Sequence, residues 1–560
     1  MATFEESIRT SVELGRSESS EVELYKNLLL EQAGEYAQAL EHLDKAKTKI
    51  CDVLGWRERR ARLLLAVGRL NDAKVAYRDL IDWNPDHRGY LWQWLQSLEV
   101  LPKSLAPSEL IRLQTGALAA EDDSGASPSS LTEALAHRIV ETCHPLLEAY
   151  PTSVQLQLIP LKFTYGTEFR RHADALLQRM LQKGIPSLFA ILKPLYRHQP
   201  SKIAVVQELV EAIAGAHAEA GTTSSDEPNG HPSTYAWCLY FLAQHYDYLG
   251  QTAKALELTE QALKLSSTAQ QDLLVAQAKF LKHAGDIAGA AQVLNTAREL
   301  DSRDRFVNSK CTKYMLRNDQ VEEAENTIMM FVRKDVPDQK EELRELQVLW
   351  YELEAGDSFR RRRMWGPALK RYHLAKHDFD EFMDDQLDFH TYILRKLSFC
   401  SYIDMMRFED QVYTLKPYIH AATAAVQCYV AIYDQRQRDL ANGVAAPPAP
   451  PASKAKAATI ADAADDDIDD SSSEADGKPK PKEDLDPLGD QLVQAADPLH
   501  EALKFLAPIS KLASNHQEIA LAYVDVYLRQ AQFTRALDAL VPLVAVHSVD
   551  NPLLHKALVT

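Results

Sequence analysis

Glycine is scarce in this chain, at 20 of 560 residues, which suits helices over strands. The six cysteines (Cys51, Cys143, Cys238, Cys311, Cys400 and Cys428) are scattered, with no C-x-x-C pair. That spacing argues against a disulfide framework and for reduced thiols in an intracellular protein. No apolar run approaches the roughly 18 residues that a membrane span requires, and the N-terminus lacks signal-peptide architecture. A soluble, cytoplasmic protein without membrane contact is expected. The motifs of common enzymes are missing too: no G-x-S-x-G, no phosphate-binding P-loop, no dinucleotide glycine fingerprint and no H-E-x-x-H. A net charge of −18 argues against general affinity for DNA. Eight of those charges fall in one tract, Asp462 to Asp476, so the remainder is only mildly acidic.

What is present is a repeat. Gly250, Gly285 and Asp319 each stand five positions before a small residue, Ala255, Ala290 and Ala324, which lie 35 and 34 residues apart. Near the N-terminus Gly34 and Gly68, and Ala39 and Ala73, repeat at 34. A period near 34 with a turn residue before a small one is the tetratricopeptide pattern of stacked helical hairpins. Each hairpin has two apolar faces that only its neighbours can cover. The expected fold is all-α: a tetratricopeptide-type superhelix, or α-solenoid, with a disordered acidic linker near the C-terminus.

In order along the chain, a frayed segment is expected over 1–20 and repeats over 21–100. Irregular helical pairs follow over 101–232, where the period degrades and 121–125 and 222–232 read as loops. The central repeats occupy 233–437, with Gly356, Phe359, Trp365, Ala368, Tyr372 and Ala375 in the last of them after a polar insertion (Lys334 to Glu345). Residues 438–486, rich in Pro, Ala and Asp, cannot bury enough apolar surface to fold. Helical repeats resume over 487–560, and an uncapped apolar start before Thr560 suggests truncation.

Charged residues supply the one sharp site hypothesis. Lys310, Lys313, Tyr314 and Arg317 follow i, i+3, i+4, i+7 spacing and share a helix face. The next hairpin brings Arg360 to Arg363 at its turn and Lys370, Arg371 and His373 on its second helix. Cations that converge in a concavity attract a polyanion; the competing reading is a basic face balanced by Glu322, Glu323 and Glu325. Two further groupings read as structural. Cys143 and His144 are adjacent on a helix and point apart. His373, His377 and His390 with Asp378, Asp384, Asp385 and Asp388 read as solvated helix ends and satisfied histidines, so no metal or catalytic site is assigned.

Several runs carry a resemblance: Tyr240-Phe241-Leu242-Ala243-Gln244-His245-Tyr246-Asp247, Asp304 through Cys311 with Lys313-Tyr314-Met315-Leu316, Asp388-Phe389-His390-Thr391-Tyr392, and Asp497-Pro498-Leu499. With them the chain resembles the auxiliary subunits of the N-terminal acetyltransferase A complex over about residues 22–560, linker excepted. The resemblance implies a non-catalytic solenoid that wraps and activates a GNAT-fold catalytic subunit for co-translational N-terminal acetylation. It also implies ribosome docking, although family members carry further repeats before the equivalent of Tyr25. The resemblance further implies inositol hexakisphosphate as a structural ligand. Lys310, Lys313 and Tyr314 lie in the matching motif, and Arg317, Lys370, Arg371 and His373 are assigned with them. The alternatives are a generic tetratricopeptide adaptor that binds peptides or chaperones, and an enzyme that uses Cys143 or the His/Asp group.

Overall fold

The computed structural model describes residues 16–101, 130–221, 234–265, 269–336, 338–384, 392–393, 397–443, 486–512 and 516–546. Every regular element among them is helical. The chain divides into two compact units, one of residues 1–300 with 389–405, the other of 301–388 with 406–560. The division falls inside the 233–437 block of expected central repeats. None of the described helices is long and apolar enough to cross a membrane.

The first unit opens with hairpins α1 (Arg16–Gln32) with α2 (Tyr36–Ala46) and α3 (Val53–Val67) with α4 (Leu70–Trp83). Irregular helices follow: α5 (Arg88–Ser97), α6 (Ser130–Ala149), α7 (Val154–Phe163), α8 (Gly166–Gln182), α9 (Leu188–His198) and α10 (Ser201–Gly221). Two regular hairpins come next, α11 (Thr234–Tyr248) with α12 (Thr252–Leu265) and α13 (Gln270–His283) with α14 (Ile287–Leu300). The small residues sit where the period put them: Ala39, Ala73, Ala255 and Ala290 are fully buried, and a larger side chain there would hold the paired helices apart. The turn glycines Gly250 and Gly285 adopt φ of 77° and 89°, a left-handed conformation that lets the chain reverse after one helix without a Cβ clash. Over the stretch where the period fades, Pro145, Pro160 and Pro194 lie inside α6, α7 and α9, and each removes a backbone donor. The expected loops at 121–125 and 222–232 lie outside the described residues.

The second unit begins with α15 (Arg305–Arg317), capped by the Asp304 carboxylate, which accepts from the Phe306 and Val307 amides, and α16 (Val321–Met329). The polar insertion contains α17 (Gln339–Glu345), tied back by Lys340–Glu325 at 2.6 Å and Arg333–Glu342 at 2.7 Å. Then come α18 (Leu349–Arg361) with α19 (Trp365–Asp384), α20 (Phe399–Glu409), which crosses between the units' residue ranges, and α21 (Lys416–Ala441). After residues 444–485, which carry the expected linker and lie outside the described residues, the chain continues as α22 (Asp490–Val493), α23 (Pro498–Leu506), α24 (Gln517–Arg529) and α25 (Phe533–Val546). Helix α21 thus runs through Ala441, past the expected linker boundary at 438. The turns here use Asp319, Arg363 and Ala531 at φ of 60°, 58° and 56° in place of glycine. At the first, the carboxylate accepts hydrogen bonds from Ser358 (2.7 Å) and Arg361 (2.8 Å), contacts that help hold a conformation the side chain disfavours. Gly356 serves packing, since a Cβ there would lie 2.7 Å from the Tyr372 ring.

Candidate functional site

The seven cationic and polar residues singled out in the sequence do not form one cluster. Helical geometry explains why. On α15, positions 310, 313, 314 and 317 fall on one face, whereas on α19 the side chains of Arg371 and His373 leave the axis about 200° apart. Helix α18 lies beside both, and its residues Glu352 and Glu354 are themselves two positions apart and point opposite ways.

Lys313 and Arg317 meet on Glu354. The carboxylate receives Lys313 Nζ at 3.0 Å and the Arg317 guanidinium through two bonds, Nε at 3.0 Å and an Nη at 2.8 Å. Burial alone would raise the Glu354 carboxyl, but these bonds outweigh it and hold the group below the usual carboxylate range. The Glu354 bond likewise holds the Arg317 guanidinium above its ordinary value. Lys310 lies over the Phe306 ring at 4.7 Å, and Arg317 over Tyr314 at 5.9 Å. Burial raises the Tyr314 phenol.

One turn further along α18, Asp357 gathers a second set: Tyr372 Oη donates at 2.8 Å, His420 Nε2 lies at 2.9 Å, and Arg360 approaches at 3.3 Å. His420 is raised chiefly by that bond to Asp357. Lys313, Arg317 and Arg360 give three permanent cations against the carboxylates of Glu354 and Asp357, a surplus of one, to which His420 adds when it is protonated. The acids that bind these cations directly are therefore on α18, while Glu325 pairs with Lys340 and acts on Arg371 without a direct bond. The spacing of Glu354 and Asp357 marks one helix face, but His420, 63 residues on from Asp357, gives no sequence signal that it belongs there.

The other three candidates are placed elsewhere. Arg371 is half-buried and donates to both oxygens of the buried Glu352 at 3.0 and 3.2 Å. Lys370 donates to the Asp486 carbonyl at 2.5 Å, beside a close backbone contact in which a Cβ on Gly366 would overlap the Leu488 carbonyl and one on Gly489 the Gly366 carbonyl. It therefore helps clasp the segment that follows residue 485. His373 is packed edge-on to Phe505 at 4.8 Å and hydrogen-bonds Tyr429 Oη at 2.8 Å; burial pushes it down to about 4. Neutral and enclosed, it contributes no positive charge. Among the described residues no group of three or more His, Cys, Asp or Glu is arranged to hold a metal ion; His390, Asp385 and Asp388 lie outside the described residues. Cys143 is buried with its thiol pushed up to about 12, while His144 faces outward toward Glu148 at 3.6 Å, so no dyad forms between these neighbours.

The chain matches the family model described as N-terminal acetyltransferase A, auxiliary subunit, over residues 17–542. It is 35% identical over 553 residues to the N-terminal acetyltransferase A complex auxiliary subunit NAA15 of Arabidopsis thaliana, covering 97% of this chain and 58% of that one. It is 33% identical over 569 residues to N-alpha-acetyltransferase 16, NatA auxiliary subunit, of Homo sapiens, covering 97% and 61%. The chain thus spans about three fifths of the length of these relatives. Among solved structures, that of Naa15/Naa10 bound to HypK-THB superposes with a TM-score of 0.76 at 29% identity, over 99% of this chain and 71% of that one. The chain belongs to the auxiliary-subunit family of N-terminal acetyltransferase A.

Proposed function

We propose that this protein is a non-catalytic auxiliary subunit that holds and activates a GNAT-fold catalytic subunit for N-terminal acetylation of proteins. The observation that carries the reading is the resemblance along 97% of the chain to proteins named as auxiliary subunits, joined to a helical repeat architecture whose stacked surfaces suit protein partners. Work on nascent chains at the ribosome, in the cytoplasm, belongs to the same reading. When the protein is isolated with its partners and these are identified by mass spectrometry, a small GNAT-fold protein is expected, together with ribosomal proteins. The isolated pair should acetylate peptides that begin with Ser or Ala, and the chain alone should acetylate none. Recovery of chaperone C-termini only, or turnover by the chain alone, would refute the proposal.

The cluster around Glu354 and Asp357 is read as a site for a polyanion, with inositol hexakisphosphate as its structural ligand. Lys310, Lys313, Tyr314 and Arg317 remain its candidates, joined by Arg360 and His420. A surplus of positive charge in a partly buried setting favours a ligand with several phosphates. The double substitution Lys313→Glu with Arg317→Glu should weaken binding of inositol hexakisphosphate at least tenfold, because two attractive charges become repulsive. Calorimetry measures this directly, and unchanged affinity removes the assignment.

A further inference from the structure

We propose that Glu354 is the resident counter-anion of this cluster and sets the charge that a ligand must bring to engage it. The inference rests on the polyanion reading above. One carboxylate serves two cations: Oε1 lies 3.0 Å from Lys313 Nζ and 2.8 Å from an Arg317 Nη, and Oε2 accepts from Arg317 Nε at 3.0 Å. The planar fork of an arginine matches a carboxylate and a phosphate equally well, so Glu354 occupies the Arg317 edge that a phosphate would take. Its side chain is only 14% exposed and springs from the interior of α18, which fixes it beside both partners. Asp357 has the corresponding role a turn away, toward Arg360 and His420.

The consequence is a threshold. A single phosphate brings little more charge to Lys313 and Arg317 than Glu354 already supplies. It would also lose its hydration and its translational freedom on binding. A ligand with several closely set phosphates adds negative charge to both cations at once. Glu354 therefore selects dense polyanions over monophosphates, and in the unliganded chain it keeps Lys313 and Arg317 oriented.

Calorimetry on the full chain at fixed ionic strength tests this, with inositol hexakisphosphate and inorganic phosphate as the probes. The Glu354→Gln variant should bind inositol hexakisphosphate at least about fivefold more tightly, the factor that one unit charge contributes at contact distance even in bulk water. It should also acquire phosphate binding that the parent lacks. The Glu354→Asp variant, which keeps the charge, should stay near the parent. If the parent binds the polyphosphate and the Gln variant binds it equally or more weakly, the threshold idea is wrong and the polyanion site stands. If neither binds, the polyanion reading fails and takes this inference with it. The parent gives an arm that does not depend on the variant folding: inorganic phosphate binding it as tightly as the polyphosphate would overturn the inference.

Discussion

Glu352→Ala should cost the second unit about 3–5 kcal/mol, the usual penalty for leaving one member of a buried ion pair without its partner. Glu352 and Arg371 are 7% and 23% exposed at their side chains and meet at 3.0 Å in the interface of α18 and α19. Burial raises the Glu352 carboxyl, with Arg371 pulling it back. For Arg371 burial works against the charge, but Glu352 and Tyr351 outweigh it and the guanidinium stays above its ordinary value. With the carboxylate removed, the guanidinium keeps its desolvation cost and loses its acceptor. The double change Glu352→Leu with Arg371→Met should recover most of the loss, since well-packed apolar pairs replace buried ion pairs at little or no cost. Hydrogen exchange of peptides from 349–384 reads the local opening free energy. A fall of less than about 1 kcal/mol in the single variant, or no recovery in the double, would contradict the argument. Polyanion affinity should change little in the double variant, because Arg371 and Lys313 lie on opposite sides of α18.

Acid should weaken the first hairpin through Glu23. His42 Nε2 at 2.9 Å and Lys49 at 2.7 Å bind its carboxylate. The bond from His42 is the main reason that its pKa falls from 4.5 to about 2, against a rise from burial. A depressed carboxylate stabilises the fold when ionised. That contribution is fully present above about pH 4.5 and is lost as the pH falls through about 2. At about 1.36 kcal/mol per unit the ceiling is about 3 kcal/mol, and the exposure of Lys49 brings the expected value to about 2 kcal/mol. The stability difference between the parent and Glu23→Gln should therefore be near that value at neutral pH and shrink to under half of it by about pH 3. A difference that stays constant with pH would assign the effect to packing instead.

The repeat was legible because it is local. A turn residue, a small residue five positions on, and a period of 34 follow from how two helices reverse and approach, and Ala255, Ala290 and Ala324 are buried as that requires. Less legible were the turns at Asp319, Arg363 and Ala531. There a non-glycine residue takes the left-handed conformation, and at Asp319 the bonds that brace it come from the following hairpin, 39 and 42 residues away.

Half of the candidate site was legible for the same local reason. Spacing on α15 placed Lys310, Lys313, Tyr314 and Arg317 on one face, and they share it. Spacing gave no account of what faces them. Whether a cation is available to a ligand, paired with Glu352, engaged with the Asp486 carbonyl or neutral beside Tyr429 depends on which residues of a neighbouring helix oppose it. Those residues lie tens of positions away, and a rotation of about 100° per residue decides between them. The sequence by itself determined the helices, their pairing and the cationic face of α15. Only the tertiary structure decided that Glu354 and Asp357 stand among those cations, because charge compensation acts through space between helices whose facing the one-dimensional pattern does not encode.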